Sequence, residues 1–267
     1  MNVPRSTFYK GNGSEGGRMR EEVRTGLRSK IEEVVADWPA YGYRRVTHEL
    51  KRRGVVANHK RVSKIMREDA LTPRRVKRFI ATTDSNHPLP VFPNLAKGFV
   101  ATGPDQLWVA DITYIRLRAA FVFLAVILDI WSRRVVGYSV GKFLDVRLTL
   151  AALEAAVRSR DPQPGLIHHS DRGGQYAALS YREHLREHGI VGSMSRKGNP
   201  YDNAHAESFM KTLKHEEVLA FEYETMGDVH ERLPVFIEEI YNRRRIHSSI
   251  GYLTPEEYEL EHARQVG

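Results

Sequence analysis

The sequence predicts an α/β domain preceded by a small all-α domain. Between residues 18 and 70, apolar residues recur at the spacing of amphipathic helices. From residue 107 onward, short β-branched and aromatic runs alternate with helical segments in the order strand, strand, strand, helix, strand, helix. The intervening residues 81–98 contain Pro88, Pro90 and Pro93, which disfavour both helix and central strand. We therefore expect a linker between the two domains.

The composition restricts the class of protein. None of the 267 residues is a cysteine, which excludes disulfides, a thiol nucleophile and thiolate-bound zinc or iron–sulfur clusters. The longest apolar run, residues 121–130, is too short to cross a bilayer, and residues 1–12 lack the apolar core of a secretory signal. We expect a soluble, cytoplasmic protein.

Positive charge is concentrated at the N-terminal end. The net charge is +8, but residues 1–80 contain 20 Lys and Arg against 9 Asp and Glu, and the other 187 residues contain 21 against 24. A basic module followed by a nearly neutral one is typical of a DNA-binding domain attached to a catalytic domain.

Two helices are predicted at the start of the all-α domain. The glycine-rich residues 11–17 are expected to be flexible. A first helix from residue 18 ends before Pro39, and a second helix ends at Gly54, a residue suited to a helix C-terminus. Their buried faces are predicted to carry Ile31, Val34, Val35 and Trp38 in the first helix and Val46 and Leu50 in the second.

A third helix is predicted to begin after Asn58, an N-cap residue. Its apolar stripe is Val62, Ile65 and Met66, and its remaining surface is basic. Three short helices with a basic last member are typical of a helix-turn-helix, in which the last helix enters the major groove. The predicted DNA contacts are Lys60, Arg61 and Lys64. An ordinary solvated bundle is the alternative.

The C-terminal part contains the α/β elements. Strands are predicted at residues 107–115, 121–130 and 134–140, as an antiparallel meander, and at 165–169. Helices are predicted at residues 145–158, 180–188, 204–215 and 229–246. Pro234 is expected to kink the last helix or to mark its start.

Three acidic residues lie at positions where α/β folds commonly carry functional side chains. Asp111 is inside the first strand, Asp171 follows the fourth strand and precedes a Gly-Gly turn, and Glu207 is in the first turn of a helix. Each alone is typical of a cap or a solvated charge. Together they offer hard oxygen ligands from three separate elements, which is what a Mg²⁺ site needs.

The segments around these acids are WVADITYI, HSDRGGQY and KGNPYDNAHAESFMKTLK. They resemble the three acidic motifs of the DDE transposases and integrases of the retroviral-integrase superfamily. The pattern is most similar to bacterial insertion-sequence transposases in which a second reading frame encodes the catalytic region. The resemblance extends from YGYRR at residues 41–45 to YNRRRIH and LTPEE within residues 241–257, nearly the whole chain.

The resemblance implies an RNase H-like integrase core, with a mixed five-stranded sheet and flanking helices, after a helix-turn-helix domain. It implies a helix-turn-helix region at residues 1–80, a linker at 81–98, a catalytic core at 99–220 and a C-terminal helical extension at 221–267. Asp111, Asp171 and Glu207 would be both the catalytic residues and the metal ligands. The implied cofactor is Mg²⁺, for which Mn²⁺ can substitute, with two ions when DNA is bound. The implied reaction is hydrolysis and strand transfer at the ends of the insertion sequence.

Further DNA contacts are expected around the acids. Lys214, seven residues after Glu207, matches a basic position that contacts the element end in the superfamily, and Lys211 shares its helix face. Arg172, Lys197 and Asn199 are phosphate-contact candidates in neighbouring loops, with solvated charge as the alternative.

The expected partners are DNA, as element ends and target, and a second copy of the chain in a homodimer or higher oligomer on DNA. An upstream-frame protein or fusion segment is a further expected partner, and nucleoid association follows from DNA binding. One alternative is a regulatory module that binds element ends and is inactive without that segment. A tyrosine recombinase using Tyr252 or Tyr258 is disfavoured, because it leaves Glu207 unexplained.

Several polar residues are expected to be structural. Asp129 is predicted to form an Asx-type turn, and His168 and His169 are predicted to be hydrogen-bonded structural histidines. The basic cluster at residues 242–247 either contacts DNA or stabilises a helix terminus.

Overall fold

The computed structural model describes residues 13–73, 89–196 and 200–266, without the side chains of residues 13–22, 200, 201 and 266. The chain forms two compact units, Met1–Val76 and Lys77–Gly267. Among the described residues, no helix is both long enough and apolar enough to cross a bilayer.

The described part of the first unit, residues 13–73, contains three helices, α1 (Gly13–Asp37), α2 (Tyr43–Arg52) and α3 (His59–Glu68). Each helix buries one apolar face, which confirms the three predicted helices. The buried residues include Leu27, Ile31, Val34, Val46, Leu50, Val62, Ile65 and Met66. The expected flexibility of the glycine-rich segment is wrong from Gly13 onward, where the chain is already helical. Extending a helix costs less than starting one, so the following helical sequence accommodates these glycines.

The ends of the short helices follow the predicted chemistry. The Asn58 side chain accepts a hydrogen bond from the Lys60 N–H at 2.8 Å, which caps α3. Gly54, after α2, has a φ of 80°, a conformation that disfavours side chains with a Cβ. Lys60, Arg61 and Lys64 are exposed on α3, as a basic recognition surface requires.

The second unit is built on a five-stranded mixed sheet. Its strands are β1 (Leu107–Arg116), β2 (Phe121–Asp129), β3 (Val135–Gly141), β4 (Ile167–Ser170) and β5 (Val191–Met194). The strand order is β3-β2-β1-β4-β5. β1, β2 and β3 form the predicted antiparallel meander, whereas β1, β4 and β5 run parallel.

Helices cover both faces of this sheet. They are α4 (Val146–Arg160), α5 (Gly174–Ala177), α6 (Leu179–Glu187), α7 (Ala204–Leu213), α8 (Met226–Pro234) and α9 (Pro255–Val266). On one face, Trp108 and Ala110 of β1 pack in the core that contains α4, α5 and α6 residues. On the other, Val109 and Ile115 pack with α7 and α8 residues. This alternation places Asp111 on the face that α7 covers.

The C-terminal elements differ from the prediction. α7 continues as a π-helix, Lys214–Val218, and α8 continues through Pro234 into a π-helix, Val235–Asn242. Pro234 therefore does not mark the helix start. It lies where the wider turn begins, because proline cannot donate the i→i−4 hydrogen bond. The final helix α9 and the short strand β5 were not predicted from hydrophobic periodicity.

Gly137 on β3 marks a close approach of the sheet and α4. A Cβ built there would lie 2.4 Å from the Ala152 carbonyl oxygen and 2.6 Å from the Ala156 Cβ. We expect Gly137→Ala to reduce the free energy of unfolding by about 1–3 kcal/mol through overpacking. Urea denaturation measures this, with Gly103→Ala as the control, since a Cβ there would first meet Gln106 Nε2 at 3.5 Å. Equal stability of the two variants would contradict the packing argument.

Candidate active site

Neighbouring parallel strands bring Asp111 and Asp171 together. The β1–β4 register pairs Val109 with His169, and the same register extended by two residues places Asp111 beside Asp171. Adjacent strands lie about 4.8 Å apart, so the two carboxylates come from neighbouring backbone positions. β4 ends at Ser170, so Asp171 occupies the first position after the strand.

Backbone amides orient both aspartates. The Ile112 N–H donates to Asp111 Oδ1 at 2.8 Å, and the Gly173 N–H donates to Asp171 Oδ1 at 2.9 Å. At Gly173, a Cβ would lie 3.0 Å from Asp171 Oδ1, so the Gly-Gly turn lets the backbone approach the carboxylate closely. One oxygen of each carboxylate is thereby fixed by the main chain.

The start of α7 carries Glu207 to the same edge of the sheet. The Asn203 side-chain amide, just before α7, donates to the Ala110 carbonyl at 2.9 Å, next to Asp111. Arg133, in the β2–β3 turn, contacts the His205 ring on α7. Neither Asn203 nor Arg133 was predicted from the sequence, although Asn203 lies within the segment KGNPYDNAHAESFMKTLK. These contacts and the buried Phe209 fix the helix turn from which Glu207 interacts with the charge of Asp111.

The three carboxylates interact electrostatically. The pKa of Asp111 is raised to about 7, first by burial, then by the negative charge of Asp171, and to a smaller extent by Glu207. The Ile112 N–H and the Lys214 ammonium act in the opposite direction. Burial also raises the pKa of Glu207. The three carboxylates repel one another when all of them are ionised, and a bound divalent cation would offset this repulsion.

The acidic cluster is open. Among the described residues, the oxygens of Asp111, Asp171 and Glu207 do not all lie within 4.8 Å of one another. The structure therefore places the three predicted acids near one another, but their carboxylate oxygens are not all close enough to bind one ion as they stand.

Lys214 differs from its predicted orientation. Instead of projecting with Lys211, it is 7% exposed, and its Nζ lies 4.7 Å from the centroid of the Tyr114 ring. Burial lowers its pKa, and the charge of Asp111 raises it. Lys211 is exposed. Lys214 is thus a neighbour of the acidic cluster, and its contact with DNA stays a prediction.

The loop candidates have different environments. Arg172 is half-buried, and its Nε–H donates to the Ser195 carbonyl at 2.8 Å, across the ends of β4 and β5. Lys197 and Asn199 lie outside the described residues. DNA contacts at these three positions also stay predictions.

The residues expected to be structural have hydrogen-bonded or buried side chains. Asp129 Oδ1 accepts from the Ser132 N–H at 2.8 Å, which confirms the turn. His168 Nε2 is 3.0 Å from Tyr181 Oη, and both ring nitrogens of His169 are within 3.0 Å of serine hydroxyls. In the basic cluster, Asn242 bonds both backbone groups of Val135, and Arg245 forms a buried ion pair with Glu216 at 2.7 Å. These two members stabilise the fold.

The raised pKa of Asp111 predicts a pH-dependent stability. Between the unfolded pKa near 4 and the folded pKa near 7, the folded state binds the extra proton, so wild-type stability falls as pH rises through this window. Asp111→Asn stays neutral and keeps the oxygen that accepts from Ile112. We expect its stability advantage in EDTA to grow from pH 4 to pH 7, to about 1–3 kcal/mol, and then to level off. Urea denaturation across this range measures it. A pH-independent difference would contradict the assigned environment.

Comparisons with protein families agree with the two-unit architecture. Residues 22–79 match an HTH-like domain, and residues 101–200 and 188–255 match integrase core domains. A chain of the simian T-cell lymphotropic virus intasome, solved by cryo-EM in complex with PP2A regulatory subunit B56 gamma, is similar over 80% of this chain and 70% of that chain, with a TM-score of 0.51 and 15% identity. This likeness supports the RNase H-like fold.

Two curated relatives cover most of the chain. A 31 kDa protein of insertion element IS600 from Shigella sonnei is 39% identical over 255 residues, covering 95% of this chain and 93% of the relative. The transposase for insertion sequence element IS904 from Lactococcus lactis is 38% identical over 235 residues, covering 87% and 93%. With the HTH-like unit, the integrase core and this identity, the chain belongs to the bacterial insertion-sequence transposases of the retroviral-integrase superfamily.

Proposed function

We propose that the chain is a DNA transposase that cleaves and joins DNA strands at the ends of its insertion sequence, with Asp111, Asp171 and Glu207 as the catalytic, metal-binding acids. The observation that carries this proposal is the convergence of three carboxylates from separate parts of the fold: parallel strands place Asp111 and Asp171 at neighbouring positions, and Asn203 anchors the start of the Glu207 helix at Ala110, next to Asp111. Membership of a transposase family supports the same reaction class.

The donor set fits a divalent cation. All three ligands are carboxylates, the hard oxygen donors that Mg²⁺ and Mn²⁺ prefer. Two ions held between these acids would suit an in-line displacement at a phosphodiester. Bound ions would activate the attacking oxygen and offset the charge on the leaving 3′ oxygen.

Other groups of the chain orient the three acids and supply a positive charge beside them. The backbone amides of Ile112 and Gly173 orient the aspartates, and the contacts around Asn203 set the start of the helix that carries Glu207. Lys214 adds a positive charge beside Asp111, where the scissile phosphate would lie. In the first cleavage, water would attack the phosphodiester and release a 3′-hydroxyl. In joining, that hydroxyl would attack a phosphodiester of the target strand, forming a new phosphodiester bond and releasing a target 3′-hydroxyl.

DNA would be bound by residues of both units. The exposed α3 residues Lys60, Arg61 and Lys64 would contact phosphates of the element end, and Lys211 would lie beside the reacting strand. Joining two ends requires at least two copies of the chain on DNA. An upstream-frame segment would supply additional end recognition.

The metal requirement tests this function. With element-end DNA, we expect cleavage in Mg²⁺ or Mn²⁺ and, in Ca²⁺, DNA binding with little cleavage, because Ca²⁺ tolerates looser coordination than the reaction needs. The assay should be run with and without the upstream-frame segment. Cleavage only in its presence would show dependence on a partner. Full turnover in EDTA would contradict the proposal, as would binding without cleavage under every condition, the behaviour of a purely regulatory module.

A further inference from the structure

We propose that three side chains of the α6 segment, His184, Glu187 and His188, form a binding site for a divalent transition-metal ion of the zinc class. This second site uses none of the three acids at the candidate active site. Among the described residues, this is the one group of three His or acidic side chains whose possible ligand atoms all lie within 4.8 Å of one another.

The distances suit a single ion. His184 Nδ1 lies 3.7 Å from Glu187 Oε2, and the rings of His184 and His188 have centroids 4.6 Å apart. Zinc binds nitrogen and oxygen ligands at about 2.0–2.2 Å, so two ligands of one tetrahedral ion are about 3.4 Å apart. Small side-chain rotations would therefore bring the three groups to one ion.

The backbone already presents the ligands on one side. Residues spaced by three and four positions are neighbours on a helix surface, and His184, Glu187 and His188 have this spacing. α6 is held against the sheet by Tyr181 and Leu185, whose side chains are almost fully buried. Metal binding would not have to order this helix first.

The His188 ring is oriented by a hydrogen bond. Its Nδ1 lies 3.0 Å from the His184 carbonyl oxygen, which can only accept, so Nδ1 carries the proton. The lone pair is then on Nε2, the arrangement that metal-binding histidines commonly use. The fold thus leaves the Nε2 lone pair of His188 available to bind a metal ion.

The His184 ring is used differently from the His169 ring. Its Nε2 is buried without a hydrogen-bond partner among the described residues, and its Nδ1 is 3.7 Å from Glu187, beyond hydrogen-bond distance. Every ring nitrogen of His169, in contrast, has a hydroxyl partner. A metal ion bound by Nδ1, the nitrogen on the Glu187 side, would give this ring a strong interaction.

The donor set determines the ion class. Two imidazoles and one carboxylate suit Zn²⁺, Co²⁺ or Ni²⁺, whereas Mg²⁺ prefers oxygen ligands alone. Three protein ligands leave at least one position for water. The two sites on this chain would therefore differ in ion preference, with Mg²⁺ at the carboxylates and a zinc-class ion on α6.

Calorimetric titration of the full chain with Zn²⁺, in excess Mg²⁺ to occupy the carboxylates, tests the site. We expect one Zn²⁺ per chain, and His188→Gln and Glu187→Gln should each lower the affinity at least about tenfold. Glu187 is exposed and His188 is a half-buried residue at the C-terminal end of α6, and circular dichroism would confirm that these variants fold. His230→Gln, at an exposed position on α8, is the matched control and should bind as wild type.

The acidic residues provide the second comparison. In Asp111→Asn/Asp171→Asn, Zn²⁺ binding should persist, and Co²⁺ should give the visible absorption of a site with nitrogen ligands. Equal Zn²⁺ affinity in His188→Gln and the His230→Gln control would overturn the proposal. So would loss of Zn²⁺ binding in the double aspartate variant, since the ion would then occupy the active site.

Discussion

Asp111→Asn, Asp171→Asn and Glu207→Gln should each reduce cleavage and strand transfer at least about 10³-fold, because losing one metal ligand removes several kcal/mol of transition-state stabilisation. The amide variants keep the size of the side chains. Asparagine at position 111 also keeps the oxygen that accepts from Ile112. Gel assays with labelled element-end DNA measure both reactions.

DNA affinity separates a catalytic defect from a folding defect in these variants. The basic surface of α3 is unchanged by them, so element-end affinity should stay within about threefold of wild type. Asp129→Asn is an informative comparison, because Asp129 is a buried turn carboxylate outside the cluster and should affect stability more than chemistry. Turnover near the wild-type rate in any of the three active-site variants would remove that residue from the site.

Replacing Lys60, Arg61 and Lys64 together with glutamine should weaken DNA binding about tenfold or more and reduce its salt dependence. Each phosphate contact contributes about −0.9 to the slope of log K against log salt, so three contacts would change the slope by about 2.7. The side chains are exposed, so the fold should tolerate the change. Fluorescence anisotropy from 50 to 200 mM salt measures the slope.

Two single substitutions, one on that surface and one on α1, provide the control. Lys30 is exposed on α1, where its ammonium pairs with Glu33 at 2.8 Å. Lys30→Gln should leave the slope unchanged, whereas Lys60→Gln should change it by about 0.9. Identical slopes for these two variants would place the DNA-binding surface elsewhere on the chain.

Much of the fold was predictable because its local signals agree with its packing. The apolar stripe of α3 is buried as its spacing indicated, and the long runs of β1 and β2 form central strands. β5 was missed because its four residues, VGSM, include a glycine and a serine and have no strand periodicity. α9 was missed despite a visible capping pattern, in which Thr254 and Glu257 exchange hydrogen bonds at 2.9 and 3.2 Å.

The acidic residues were easier to identify than their surroundings. Asp111 and Asp171 come together because parallel strands align neighbouring positions, which a motif can indicate. The burial of Lys214 could not be predicted, since the ring that it packs against, Tyr114 on β1, is distant in sequence. The contacts of Asn203 and Arg133 join segments distant in sequence, so no local pattern identifies them.

The central claim is that two aspartates and a glutamate bind divalent cations to break and rejoin DNA. The most direct measurement is an anomalous difference map from crystals of the chain grown with Mn²⁺ and element-end DNA. The account predicts Mn²⁺ peaks within about 2.0–2.6 Å of carboxylate oxygens from Asp111, Asp171 and Glu207. Peaks bound by other residues, with these three carboxylates unoccupied beside the scissile phosphate, would contradict it.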